Sequence, residues 1–98
     1  MHRFAIAIAV GLSAASCGQS PPIATANDAA RANVALADLE RGRTLLLTRC
    51  GSCHVAPLPT DVVPGDWPRE VAAMAARAKI DVAQRQLIEV YLVTMARR

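Results

Sequence analysis

The sequence predicts an all-α domain. Three observations carry that class. Apolar residues recur at helical spacing in three separate segments. Helix-start chemistry stands in front of two of them. No segment shows the apolar–polar alternation of a half-buried strand.

The first segment runs from about Val34 to Arg49. Leu39, Gly42 and Leu46 fall at i, i+3 and i+7 and share one face. A glycine on that face costs ~1 kcal/mol relative to alanine unless another backbone packs close to it. The second segment spans Trp67 to Ala78. Asp66 or Trp67 stands at its cap, Pro68 suits the first turn, and Glu70 complements the positive end. Val71, Met74, Ala75 and Ala78 share its apolar face. The third begins at Asp81, where Asp81 and Gln84 have the spacing of a capping box. Leu87, Ile88, Tyr91, Leu92 and Met95 form its buried stripe, and Arg97 and Arg98 oppose the negative end. Pro57, Pro59, Pro64 and Gly65 keep the stretch between the first two helices non-helical.

The chain has 98 residues, enough for one small domain. Hydrophobic residues make up 53% and charged residues 19%, which excludes a disordered polar chain. The net charge is +3, carried by ten arginines and one lysine, Lys79. That balance forms no dense basic stripe, so no nucleic-acid partner is expected. No apolar run reaches the ~18–20 residues of a spanning helix.

The N-terminus reads as an address. His2 and Arg3 precede an uncharged stretch from Phe4 to Ala15, too short to span and suited to the centre of a secretory signal. Small residues then lead into Cys17 and Gly18. This resembles a bacterial lipoprotein signal, in which the cysteine is lipidated and becomes the first residue; Ala14 stands where leucine is usual. The alternative is an ordinary signal with Cys17 incidental. Gly18 to Pro22 is polar and turn-rich, and the alanine-rich run after it turns helical near Asp28, a candidate cap. The expected organisation is a signal peptide over 1–16, a lipidated N-terminus and flexible tether over 17–33, and a folded domain over 34–98. Removal of 16 residues leaves 82, with Trp67 and Tyr91 as the remaining aromatics. A core that small needs a disulfide, a metal or a cofactor to fill it.

The run Cys50-Gly51-Ser52-Cys53-His54 supplies one. Cys-x-x-Cys-His is the attachment signature of c-type haem. Two thiols add across the two porphyrin vinyl groups, and the adjacent histidine reaches the iron. A thioredoxin-like thiol pair would follow a strand in a βαβ unit, and none is visible. A tetrahedral zinc site needs a fourth ligand that the mature chain does not sensibly offer. One cysteine for lipid and two for haem leave none over.

From about Asp38 to Arg97 the chain resembles the class I cytochrome c family. Gly42 lies eight residues before Cys50 and Leu46 four before it, where the family carries the glycine, and commonly an aromatic, of its N-terminal helix. Ile88-x-x-Tyr91-Leu92 is similar to the family's C-terminal helix, whose aromatic packs across that glycine. The resemblance implies a small cytochrome c-like fold, in a compact variant, with three main helices around one covalent haem c. It implies thioether bonds from Cys50 and Cys53 and a proximal iron ligand in His54. It also implies a distal methionine. Met74 is the leading candidate, because Trp67 precedes it by two helical turns as in related haem domains; the alternatives are Met95, core packing by Met74, or an open site. Pro57 or Pro59 resembles the family proline whose carbonyl accepts the second N–H of the proximal histidine. Trp67 is a candidate to donate its indole N–H to a haem propionate, or else covers the ring edge. Arg49, Arg69 and Arg77 are candidates to pair a propionate, or else are solvated surface charges.

The implied function is one-electron transfer, not an enzymatic reaction of its own. The expected setting is the bacterial periplasm, with the domain held at a membrane through its lipid anchor. The expected partners are redox donor and acceptor proteins that bind transiently. Two readings stand beside it: a five-coordinate haem that binds a gas or peroxide, and a haem subunit of a larger dehydrogenase or oxidase. A colourless thiol or metal-binding lipoprotein is a third.

Overall fold

The computed structural model describes residues 19–51 and 55–98. Among them there is no strand, and the all-α class holds.

Residues 19–25 lead into α1, Ala26–Ala32. The Thr25 hydroxyl accepts from the Asp28 N–H, and the Asp28 carboxylate accepts from the Thr25 N–H at 2.8 Å, so the two close a capping box. Asp28 is therefore the third residue of the helix, not its cap. Asn33 ends α1 in the left-handed region, φ 55°.

The second helix, α2, spans Leu36–Leu45 and begins two residues later than the sequence predicts. It widens into a π-helical turn over Leu46–Cys50, closed by the Gly51 N–H donating to the Leu46 carbonyl at 3.2 Å. Two threonine hydroxyls back-bond before and within that turn: Thr44 donates to the Glu40 carbonyl at 3.0 Å and Thr48 to the Thr44 carbonyl at 2.9 Å. Such back-bonding competes for carbonyls in the i−4 ladder and bends helices.

Short 3₁₀ turns at Pro59–Asp61 and Pro64–Asp66 carry the chain to α3, Trp67–Ala78, with the bounds the sequence predicts. Asp66 stands at the cap but makes no side-chain capping bond; its carboxylate pairs with Arg69 at 3.5 Å. Lys79 ends α3 with φ 53°, and α4 extends over Val82–Ala96. The expected capping box opens α4, with Gln84 N–H to the Asp81 carboxylate at 2.8 Å and Asp81 N–H to the Gln84 side chain at 3.0 Å.

The core forms around α4. Ile88, Tyr91, Leu92 and Met95 are buried on it, as expected, while Leu87 is half-buried. Leu39, Gly42 and Leu46 meet them from α2, and Trp67 and Val71 from α3. The contact between α2 and α4 is close. A Cβ on Gly42 would collide with the Leu87 carbonyl oxygen and lie 2.8 Å from the Tyr91 Cβ. That explains the glycine on the buried face.

The stretch expected as a flexible tether is docked over its described part. Pro21 and Ala24 are buried. The Tyr91 hydroxyl donates to the Pro22 carbonyl, and Arg43 Nε donates to the Pro21 carbonyl at 2.9 Å. Burial pushes the Tyr91 phenol up to about 12, partly offset by Arg43. At the far end of the stretch Arg31 donates to the Thr94 and Arg97 carbonyls. Two prolines limit the freedom that docking must remove, and carbonyls left unpaired in an extended segment find donors on α2 and α4.

Asp28, 3% exposed, is the buried acid of this arrangement. The Thr25 backbone N–H holds its carboxyl below the usual carboxylate range; burial opposes this, and the Thr25 hydroxyl, Arg31 and Arg98 add to it. Arg31 pairs with it at 3.0 Å and Arg98 at 3.4 Å.

Urea unfolding checks both the helix contact and the buried acid. Gly42→Ala should lose about 1–3 kcal/mol, because steric overlap outweighs the ~1 kcal/mol of helix propensity gained. Gly65→Ala, with nothing within 4 Å of the added methyl, should stay near wild type. Asp28→Asn should lose roughly 1–3 kcal/mol at neutral pH. A lowered native pKa stabilises above the ordinary carboxylate range, and that contribution disappears as pH falls through the native value. The gap between wild type and variant should therefore close in acid; a gap independent of pH would contradict this role for Asp28.

Candidate functional site

Cys50 ends the π-helical turn with its side chain in the core, 5% exposed. Cys53 and His54 lie outside the described residues, as does Cys17. Gly51 and Ala56 stand near each other: a Cβ on Gly51 would lie 3.7 Å from the Ala56 Cβ and against the Leu47 carbonyl. Ala56 is itself buried. Turns of the π type recur at functional sites, where the wider turn re-aims the residues beyond it.

Met74 lies on α3, half-buried, two turns after Trp67. Met95 is 2% exposed among the core residues of α4, which is a packing position. α2, which leads to Cys50, and α3, which carries Met74, both pack on α4 and make little contact with each other. The two elements bearing the sequence-predicted donors thus share one support while remaining unpacked against one another.

Trp67 departs from its expected role. The indole is 1% exposed, and its N–H donates to the Pro59 carbonyl at 2.8 Å. That N–H is committed to the loop and does not reach a propionate. The physical reason is burial: an indole N–H taken out of water needs an internal acceptor, and the 3₁₀ turn at Pro59 provides one. Pro59 is buried and Pro57 half-buried; the Pro59 carbonyl accepts from Trp67, while His54, whose N–H either proline carbonyl was expected to accept, lies outside the described residues. Of the candidate propionate arginines, Arg69 pairs with Asp66 and is 75% exposed at its side chain, and Arg49 and Arg77 are exposed.

Two thiols to bond the porphyrin vinyl groups, with an imidazole and a thioether for the iron, would suit a covalently attached haem. The structure adds one observation about fit. The thiol of Cys50 is held at the core end of α2, with Leu46 and Ala56 in the same buried cluster. An apolar ring attached there would meet apolar neighbours. Among the described residues, no group of three or more His, Cys, Asp or Glu side chains is placed to hold a metal ion. No helix among them is long and apolar enough to cross a membrane.

Sequence reasoning missed the cluster of Asp28, Arg31 and Arg98 and the clamp of Tyr91 and Arg43 on the two prolines. The first left a signal, because Thr25-x-x-Asp28 has capping-box spacing. The second left none, since the partners are separated by 69 and 22 positions.

Trp67→Phe keeps the ring and removes the donor. It should lower stability by about 1–3 kcal/mol, because the Pro59 carbonyl then stays buried without its partner. Thermal unfolding monitored by circular dichroism checks this.

No family model, no curated protein and no solved structure matches the chain.

Proposed function

We propose that the chain is a one-electron carrier built on a single covalently attached c-type haem and held at the periplasmic side of a bacterial membrane by a lipid on Cys17. The observation that carries the reading is the Cys50–His54 run set at the end of a helix whose Cys50 thiol lies in the core. The Gly42–Tyr91 approach supports it, since it accounts for the residues on which the likeness to class I cytochromes c rests.

In this reading Cys50 and Cys53 would hold the porphyrin, and His54 and Met74 would ligate its iron. The haem supplies a ferric/ferrous couple, and a thioether ligand favours the ferrous side. The chain's own residues keep the ligands still. The Trp67–Pro59 hydrogen bond ties the start of α3 to the loop after the attachment run, which fixes where Met74 stands along the helix. The burial of Trp67 and Val71 on the same helix excludes water from its inner face. Rigid ligands suit electron transfer because little must move when the charge changes. With His54 and Met74 both on the iron, no ligand place would be left for a substrate, so the carrier would exchange electrons with proteins that bind briefly.

Optical spectra of the protein exported to the periplasm test the reading. The expected result is a reduced α-band of covalent haem and a weak near-infrared sulfur-to-iron band in the oxidised form. Met74→Ala should abolish the near-infrared band and leave the covalent haem in place. A high-spin ferric form that binds carbon monoxide readily on reduction would point to the five-coordinate alternative. A folded, exported, colourless protein with the mass of the bare polypeptide would refute haem attachment.

A further inference from the structure

We infer that the domain does not swing on its lipid anchor but lies against the membrane with one chosen end, the one formed by the docked prolines and the C-terminus of α4, where Arg31, Arg97 and Arg98 face an anionic lipid surface. The inference rests on the lipidation of Cys17 proposed above. It adds which face meets the lipid.

The first argument is reach. Pro21 is buried and its carbonyl is held by Arg43, while Tyr91 holds the carbonyl of Pro22. Docking therefore begins four positions after Cys17. Four residues span at most about 14 Å when fully extended. A free tether ending at residue 33 would have been several times longer. The described structure leaves no such slack.

The second argument is the surroundings of the exit point. Gln19, Ser20 and Pro22 border a surface depression of about 300 Å³ together with Met95 and Arg98. Arg98 and Arg31 both pair with the same oxygen of Asp28, and Arg31 also donates to the Arg97 carbonyl. Arg31 and Arg98 are thus joined through Asp28, and the exposed Arg97 is the neighbour of Arg98 in the chain, with Arg98 bordering the same depression as Gln19 and Ser20. Asp28 is the acid among them, and it is buried and already engaged. Even if Arg98 carries a terminal carboxylate, the group stays net positive. A basic group within a Debye length of anionic headgroups is drawn to them.

Two other arginines mark the opposite end of α4. α4 has 15 residues and is about 22 Å long. Arg85 lies near its start, and Arg77 lies in the last turn of α3, just before that start. Both lie toward the end of α4 opposite Met95 and Arg98.

The test uses the full lipidated protein on vesicles of phosphatidylethanolamine and phosphatidylglycerol. Each arginine's reaction with phenylglyoxal is monitored by mass spectrometry, on vesicles and in detergent. The inference expects labelling of Arg31, Arg97 and Arg98 to slow severalfold on vesicles, while Arg77 and Arg85 react at unchanged rates. A variant with a Gly-Ser spacer of about 20 residues between Ser20 and Pro21, with a typical reach of ~25 Å, should float with the vesicles yet lose most of that protection. Flotation with all five arginines reacting alike on vesicles and in detergent would overturn the orientation and leave the lipid anchor standing. Protein that fails to float would overturn the anchor itself, and the orientation with it.

Discussion

The approach of α2 to α4 at Gly42 is the constraint on which the rest of the structure depends. With no side chain at that position, the two helices come close enough for the Tyr91 Cβ and the Leu87 backbone to touch α2. The contact brings Leu39 and Leu46 onto Ile88 and Leu92, which supplies most of the large aliphatic core. It also fixes the direction in which α2 leaves the crossing, and so the position of Cys50 two turns later. With only two aromatics in the described domain, the fold has little spare bulk to fill a gap if that approach were loosened.

Tyr91 shows how one side chain serves two packing problems. Its Cβ lies against the glycine, while its hydroxyl reaches the Pro22 carbonyl. The helix crossing and the docking of the N-terminal arm are therefore coupled through one residue. Arg43, one position after the glycine, holds the neighbouring Pro21 carbonyl from the α2 side. The arm is gripped by both of the helices whose contact defines the core.

Much of the fold was legible in the sequence because the elements announce themselves locally. The Asp81–Gln84 box and the bounds of α3 are set by neighbouring residues, and the structure keeps them. Gly42 was legible for a different reason: a costly residue on a buried face demands a close partner. The docked arm was not legible, since extended backbone carries no periodicity and its hydrogen bonds go to distant helices. Trp67 shows a subtler limit. Its place and burial could be anticipated, but which acceptor takes its N–H depends on how the proline-rich loop returns, and that return is a tertiary property. The π-helical turn was equally hidden, as the two threonines before and within it look like ordinary surface residues. For the candidate site, the attachment run was read from its spacing and the distal methionine from the resemblance, whereas the support that α4 gives to both flanking helices needed the structure.

The first described residues, Gln19 and Ser20, border the same depression as Arg98. The two ends of the described fold thus stand at neighbouring points. Such a module resembles a plug with both leads on one side, and it can be spliced into a surface turn of a host protein, or repeated in tandem, without prising its helices apart.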